Sequence, residues 1–222
     1  MAIPHYLLAA FEEGGIYHII CKSINEKSLF REDRNKHFFL KKYQQFLADY
    51  IETFAYCLLD NHAHFLIRIK TLKEITDRIS LIPPKEFTIL QGRFMENAEL
   101  LLNDLVIRQF NSFFVSYTRS FNNLYKRKGH LFETPFKRIV ITDSAHFSQL
   151  VIYIHANPLK HRFVNDFTGY EWSSYKELIN NFSHLLNRDY VIEWFGGEER
   201  FIKIHKEQIQ FYYDLPLTYA TE

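Results

Sequence analysis

Two β-branched and aromatic runs, Thr53 to Leu59 and Ala63 to Lys70, meet at the polar dipeptide Asp60-Asn61. Two strand-like runs joined by a turn pair fold as a β-hairpin, and this feature constrains the chain more than any other. Side chains alternate across a strand, so His62 and His64, at the start of the second run, share one face. The end of a hairpin opens to solvent, which suits a ligand site better than a core position. Two converging imidazoles are half of a metal site. On its own, however, His-x-His is equally compatible with hydrogen-bonded packing histidines.

The remaining elements order themselves around this hairpin. Ile16 to Lys22, after Gly14-Gly15, reads as a first strand. His18 is its odd polar member, and a structural role is favoured for it. After a charged turn over Arg31 to Lys36, the residues from His37 to Tyr50 carry Phe38, Phe39, Tyr43, Phe46, Leu47 and Tyr50 near the helical period. Leu100 to Leu124 is a longer helical pattern, and Arg138 to Thr142 a fourth strand. A helix capped by Asp143 or Ser144 should follow and end near Asn157, because Pro158 disfavours helical geometry in the residue before it. The order βαββαβ predicts an α+β chain with a ferredoxin-like or RRM-like antiparallel sheet and helices on one face. Thr71 to Glu99, with Pro83-Pro84, is expected to be a partly helical insertion. The stretch from Leu159 to Glu222 should be a mostly helical C-terminal extension packed on the domain formed by residues 1–158.

A chain of 222 residues, 47% hydrophobic and 17% aromatic, can bury one substantial core. No apolar run approaches the ~20 residues of a membrane helix, and Met1 to Glu13 lacks a secretory pattern, so the expected address is the cytoplasm with no membrane partner. Cys21 and Cys57 should act as small buried hydrophobes. The formal charge of +1 is too low for a protein that coats nucleic acid, so any polyanion must meet a local patch. Such a patch exists between Arg119 and Arg138, where Arg119, Lys126, Arg127, Lys128, Lys137 and Arg138 face one acid, Glu133. A charge cluster is often only a solvated surface. Interleaving by Phe121, Tyr125, Phe132 and Phe136 and the neighbouring Gly129-His130 point further, since phosphates attract cations and unstacked bases stack on rings.

The helix before Pro158 contains Tyr153 and Asn157 at i and i+4, neighbours on one face. A phenol is a competent nucleophile once its ionisation is assisted, and an amide oxygen is a suitable third ligand beside two imidazoles.

Leu59-Asp60-Asn61-His62-Ala63-His64-Phe65-Leu66-Ile67 resembles the Met-Pro-Asn-His-Val-His-Leu-Leu-Val segment of the single-tyrosine HUH transposases, particularly the REP-associated tyrosine transposase branch. Further matches follow in order: Gly15-Ile16-Tyr17-His18-Ile19, then Phe121-Asn122 through Arg127-Lys128-Gly129-His130-Leu131-Phe132, and Pro135-Phe136-Lys137. Tyr153-Ile154-His155-Ala156-Asn157-Pro158 and Trp172-Ser173-Ser174-Tyr175 complete the series, which spans about residues 15 to 176. Leu59-Asp60 stands where Met-Pro is common, a change in the turn and not in the ligands.

The resemblance implies His62, His64 and Asn157 as ligands of a divalent metal, Mg²⁺ or Mn²⁺, and Tyr153 as the catalytic tyrosine. It implies nicking and joining of single-stranded or hairpin DNA through a 5′-phosphotyrosine link. Arg119, Lys126, Arg127, Lys128, His130, Lys137 and Arg138 would bind the DNA. His155 is either an auxiliary proton carrier or a packing residue, and the long C-terminal part favours a monomer over a homodimer. Two rivals stand beside this reading. One is a hydrolytic zinc centre completed by Asp60; the other is a non-catalytic single-stranded nucleic-acid binder that uses an RRM-like sheet face.

Overall fold

The hairpin supplies one outer and one central strand of a four-stranded antiparallel sheet. Its strands are β1 (Ile16–Lys22), β2 (Ile51–Leu58), β3 (His62–Ile69) and β4 (Lys137–Ile141), in the spatial order β2-β3-β1-β4. The computed structural model describes residues 4–180 and 185–214. Leu59 N–H donates to the His62 carbonyl at 2.9 Å and closes the turn at Asp60-Asn61. β3 begins at His62, one residue before the expected start, because His62 pairs across the sheet with Lys22 of β1. Between Thr53 and Ala55 a bulge shifts the register of β2.

Register decides the two faces. Residues opposite one another in an antiparallel pair point the same way. Lys22, Ile20 and His18 therefore share a face with His62, His64 and Leu66, and with Lys137 and Ile139 of β4. The other face presents Tyr17, Ile19, Tyr56, Phe65 and Ile67, all buried. It is covered by α1 (Asp33–Leu47) and α4 (Ala98–Leu124), the two helices of the βαββαβ unit. Tyr43 of α1 stacks on Phe65 at 4.2 Å, and Phe39 meets Phe113 of α4 at 4.8 Å. Such aromatic pairs add about 0.5–1.5 kcal/mol each beyond area burial. Gly15 is required by space: a Cβ there would lie 2.8 Å from the Tyr17 ring, whose hydroxyl donates to the Ala10 carbonyl.

α1 starts four residues before the position its apolar period suggests. Glu32 and Asn35 form a reciprocal cap inside what reads as a charged turn, and the first helical turn simply exposes its charges. The insertion contains α2 (Leu72–Ile79) and α3 (Ile89–Glu96), each opened by a capping box, Thr71 with Glu74 and Thr88 with Gln91. Both helices pack on α4.

α5 (Ser144–Lys160) is capped by Asp143, which accepts from His146 N–H at 2.7 Å. It continues through Pro158 instead of stopping before it. A proline so close to a helix end removes only one backbone bond, and the chain still closes its last turn with His161 N–H on the Asn157 carbonyl at 2.9 Å. α5 lies against β2 and β3 on the histidine-bearing face and is backed by α8 (Glu198–Asp214), with α6 (Tyr175–Asn180) and α7 (Arg188–Trp194) alongside. The helices of the βαββαβ unit thus share one face as expected, while α5 and the C-terminal helices cover the other. Phe167, Tyr175, Val191, Phe195 and Phe201 join the same core as the sheet. Cys21 and Cys57 are buried free thiols, pushed upward in pKa by burial. Among the described residues no helix is long and apolar enough to cross a membrane.

Candidate active site

The strand alternation that puts His62 and His64 on one face also turns them toward α5, and α5 meets them with Tyr153 and Asn157. The His62 and His64 rings are 4.9 Å apart at their centroids, nearly perpendicular. Tyr153 sits edge-on to His64 at 5.8 Å. Asn157 is one helical turn on, its Nδ2 donating to the Tyr153 carbonyl at 3.0 Å. All four side chains are buried, with His62 and Tyr153 each 6% exposed.

Three further residues complete this cluster. His18 of β1 places Nε2 2.9 Å from His64 Nδ1 and its ring 6.3 Å from that of Tyr153. Lys160 holds its ammonium 5.1 Å from the Tyr153 ring centre, and His161 lies 5.0 Å from the His62 ring. Lys160 and His161 follow Tyr153 at i+7 and i+8, on its face of α5, but a helix expected to end near Asn157 left them out. His18 lies in a segment that carries the resemblance but reads as structural from the strand alone, since only the pairing of β1 with β3 brings it to His64.

The polar atoms here suit a divalent cation. His62 Nδ1 is 2.7 Å from Asn61 Oδ1, an acceptor, so Nδ1 carries the proton and Nε2 the lone pair. His64 Nε2 and Asn157 Oδ1 are buried with no hydrogen-bonding partner among the described residues. Burial first, and then repulsion from any proton that His62, His18, His161 or Lys160 carries, holds the His64 pKa well below the usual imidazole range, so the ring stays neutral and able to ligate. Two imidazoles and one amide oxygen form a mixed donor set of the kind that can hold a divalent cation. Among the described residues no three His, Cys, Asp or Glu side chains gather as a ligand group, so an ion here would depend on the amide.

That finding also corrects the zinc reading. Asp60 stays exposed on the turn, where its carboxylate accepts from Ser28 Oγ at 2.7 Å and completes no centre with the histidines. The sheet-face binder loses its platform as well, because α5 covers the face that bases would need to reach.

The basic segment divides. Arg119, Lys128 and His130 are exposed and line a groove of about 640 Å³ between α4 and the loop that follows it, and none of its lining residues is acidic. Lys126 is exposed where the chain turns out of α4, and Lys137 lies on the histidine face. Arg127 is tied down, donating to Asn122 Oδ1 at 2.7 Å and to the His130 carbonyl at 3.0 Å. Arg138 departs from its expected role. Its Cα is opposite Ile19, on the face away from the histidines; its Nε donates to the Ala9 carbonyl, and its guanidinium lies over Phe11 and Phe136. The aromatics also differ from expectation: Phe121, Phe132 and Phe136 are buried core residues, so they cannot stack on bases. Tyr125 is occupied by Glu32, Asn35 and the Arg31 guanidinium. The loop beside the groove is tied to the end of β1, since Glu133 N–H bonds to the carbonyl of Lys22, the residue paired with His62.

His155 does not join the cluster. It is fully buried, with Nδ1 2.9 Å from His205 Nε2 and Nε2 2.8 Å from Ser174 Oγ, on the side of α5 that meets α8. Its hydrogen bonds run to His205 and Ser174 and not to the cluster around Tyr153, which fits the packing alternative.

No family model matches the chain, and no curated protein matches it either. Among solved structures, one that is similar is a REP-associated tyrosine transposase bound to a REP hairpin. That likeness covers 85% of this chain and 90% of the other at 15% identity, with a TM-score of 0.50. At that identity the likeness is one of fold.

Proposed function

We propose that this protein nicks and rejoins single-stranded DNA through a transient covalent bond to Tyr153. The observation that carries the reading is the meeting of Tyr153 and Asn157 of α5 with His62 and His64 of β3 in one buried cluster. The Tyr153 oxygen attacks the scissile phosphorus, the P–O3′ bond breaks, and the 5′-phosphate remains on the tyrosine. In net terms the phenol proton ends on the released 3′-hydroxyl. The phosphodiester is exchanged and not hydrolysed, so a 3′-hydroxyl can reverse the step and join strands without ATP.

His62, His64 and Asn157 would hold the divalent ion, Mg²⁺ or Mn²⁺, which when bound supplies Lewis-acid polarisation of the scissile phosphate. Lys160, whose ammonium lies 5.1 Å from the Tyr153 ring centre, would add positive charge near a bound phosphate. Arg119, Lys126, Lys128, His130 and Lys137 grip the flanking phosphates. The hairpin held by the structurally similar transposase supports a hairpin-bearing strand as substrate. Both halves of the cluster come from one chain, so in this reading the tyrosine acts beside ligands of its own subunit.

The test is incubation with end-labelled, hairpin-bearing single-stranded DNA and Mn²⁺, read on a denaturing gel. A covalent protein–DNA species that disappears in Tyr153→Phe is expected. An adduct that survives the substitution, or none across varied hairpins, overturns the reading.

A further inference from the structure

We propose that His18 is a positioning residue that holds His64 in the tautomer and orientation its role as a ligand requires. This rests on the metal reading of the site and goes beyond it, because it assigns work to a residue on a third strand. Two facing imidazole nitrogens 2.9 Å apart need one proton between them. When that proton sits on His64 Nδ1, the lone pair of His64 moves to Nε2, the buried atom with no hydrogen-bonding partner among the described residues. His18 Nε2 is then the acceptor. The opposite arrangement would leave a proton on His64 Nε2, in the position a cation needs.

The geometry of the neighbouring ligand is parallel. Asn61 Oδ1 sets the tautomer of His62 through Nδ1, as His18 sets that of His64. Outer partners of this kind orient a metal-binding imidazole and raise its basicity. A packing role alone explains His18 poorly. Its side chain is only 4% exposed on a face shared with Ile20, Leu66 and Ile139, where an apolar residue would bury without the cost of a polar ring. The strand pairing puts Leu66 opposite His18, so His64 is its diagonal neighbour and the two rings overlap at 5.1 Å and 23°.

Mn²⁺ binding measured without DNA, by the loss of the free-ion electron paramagnetic resonance signal, tests this directly. His18→Leu should weaken Mn²⁺ about 10- to 100-fold, the usual effect of deleting an outer partner. His18→Gln, whose amide oxygen can reach the place of Nε2, should restore most of the affinity. In nicking assays the same loss should appear as a higher Mn²⁺ concentration for half-maximal rate, with the rate at saturating Mn²⁺ much less affected. Should His18→Leu not fold, the comparison passes to His18→Asn, one methylene too short to reach His64, against His18→Gln. Wild-type affinity in His18→Leu, or equal affinities for the Asn and Gln variants, overturns the assignment of His18 alone. A wild-type protein that binds no Mn²⁺ overturns the metal reading and this inference together, whereas loss of the Tyr153 adduct result alone leaves Mn²⁺ binding intact.

Discussion

Acid should release the helix that carries Tyr153 from its support. His205 of α8 is fully buried, and its Nδ1 is 2.8 Å from the Phe201 carbonyl, so Nδ1 bears the proton and Nε2 accepts. His155 of α5 must therefore donate from Nδ1 and accept at Nε2 from the Ser174 hydroxyl, whose oxygen in turn accepts the Tyr56 N–H. Every direction in this chain is set, and both imidazoles are neutral. Adding a proton to His205 Nε2 would press it against the N–H of His155. Burial lowers the His205 pKa from 6.5 to about 4, with the Phe201 carbonyl pulling weakly the other way. Burial first, and then the charge of His205, depresses His155 well below its usual range.

A histidine depressed in the folded state leaves stability intact above 6.5 and removes it as pH falls toward the folded value, because the unfolded chain binds the proton first. At about 1.4 kcal/mol per unit, His205 alone accounts for about 3 kcal/mol lost between pH 6.5 and 4. His155 and His64 act in the same sense. Glu32, Glu74 and Asp166, lowered by hydrogen bonds, act at more acid pH. The assay is urea unfolding followed by tryptophan fluorescence at several pH values, for wild type and His205→Leu. At pH 7 the variant should be less stable by about 1–3 kcal/mol, since His155 Nδ1 loses its acceptor. Its stability should then fall less steeply than that of wild type between pH 6.5 and 4. Equal slopes in the two proteins would refute the tautomer chain and the burial argument.

Asn157→Ala removes the orphaned amide oxygen and should weaken Mn²⁺ binding while leaving DNA affinity measured in chelator unchanged, which calorimetry and a filter-binding assay can separate. Lys128→Ala should weaken DNA binding and lower the slope of log affinity against log salt by about one, as expected for a lost phosphate contact. Arg138→Ala should leave that slope unchanged and instead lower the unfolding midpoint, because Arg138 bonds to Ala9 and lies over Phe11 and Phe136. Phe65→Ala should cost about 3–5 kcal/mol in urea unfolding, since Phe65 is fully buried under Tyr43 and Phe39.

The local features were legible in the chain itself. Alternation placed His62 and His64 on one face, Asp60-Asn61 turned the hairpin, the helical period grouped Tyr153 with Asn157, and the order of patterns predicted the sheet. Each depends on residues within a few positions of one another, where backbone geometry is repetitive. Tertiary structure decided the rest. A phenylalanine beside a lysine has the same sequence signature whether it stacks on a base or fills a core, and only the packing of α4 with the loop that follows it turned Phe121, Phe132 and Phe136 inward. Arg138 and Lys137 are adjacent in sequence, yet the register of β4 on β1 sends one to each face. His18 shows the same dependence: its segment matches the family motif, yet nothing within β1 says which residue it meets. A pairing between residues 46 positions apart sets it against His64, because strand register is fixed by contacts across the whole sheet.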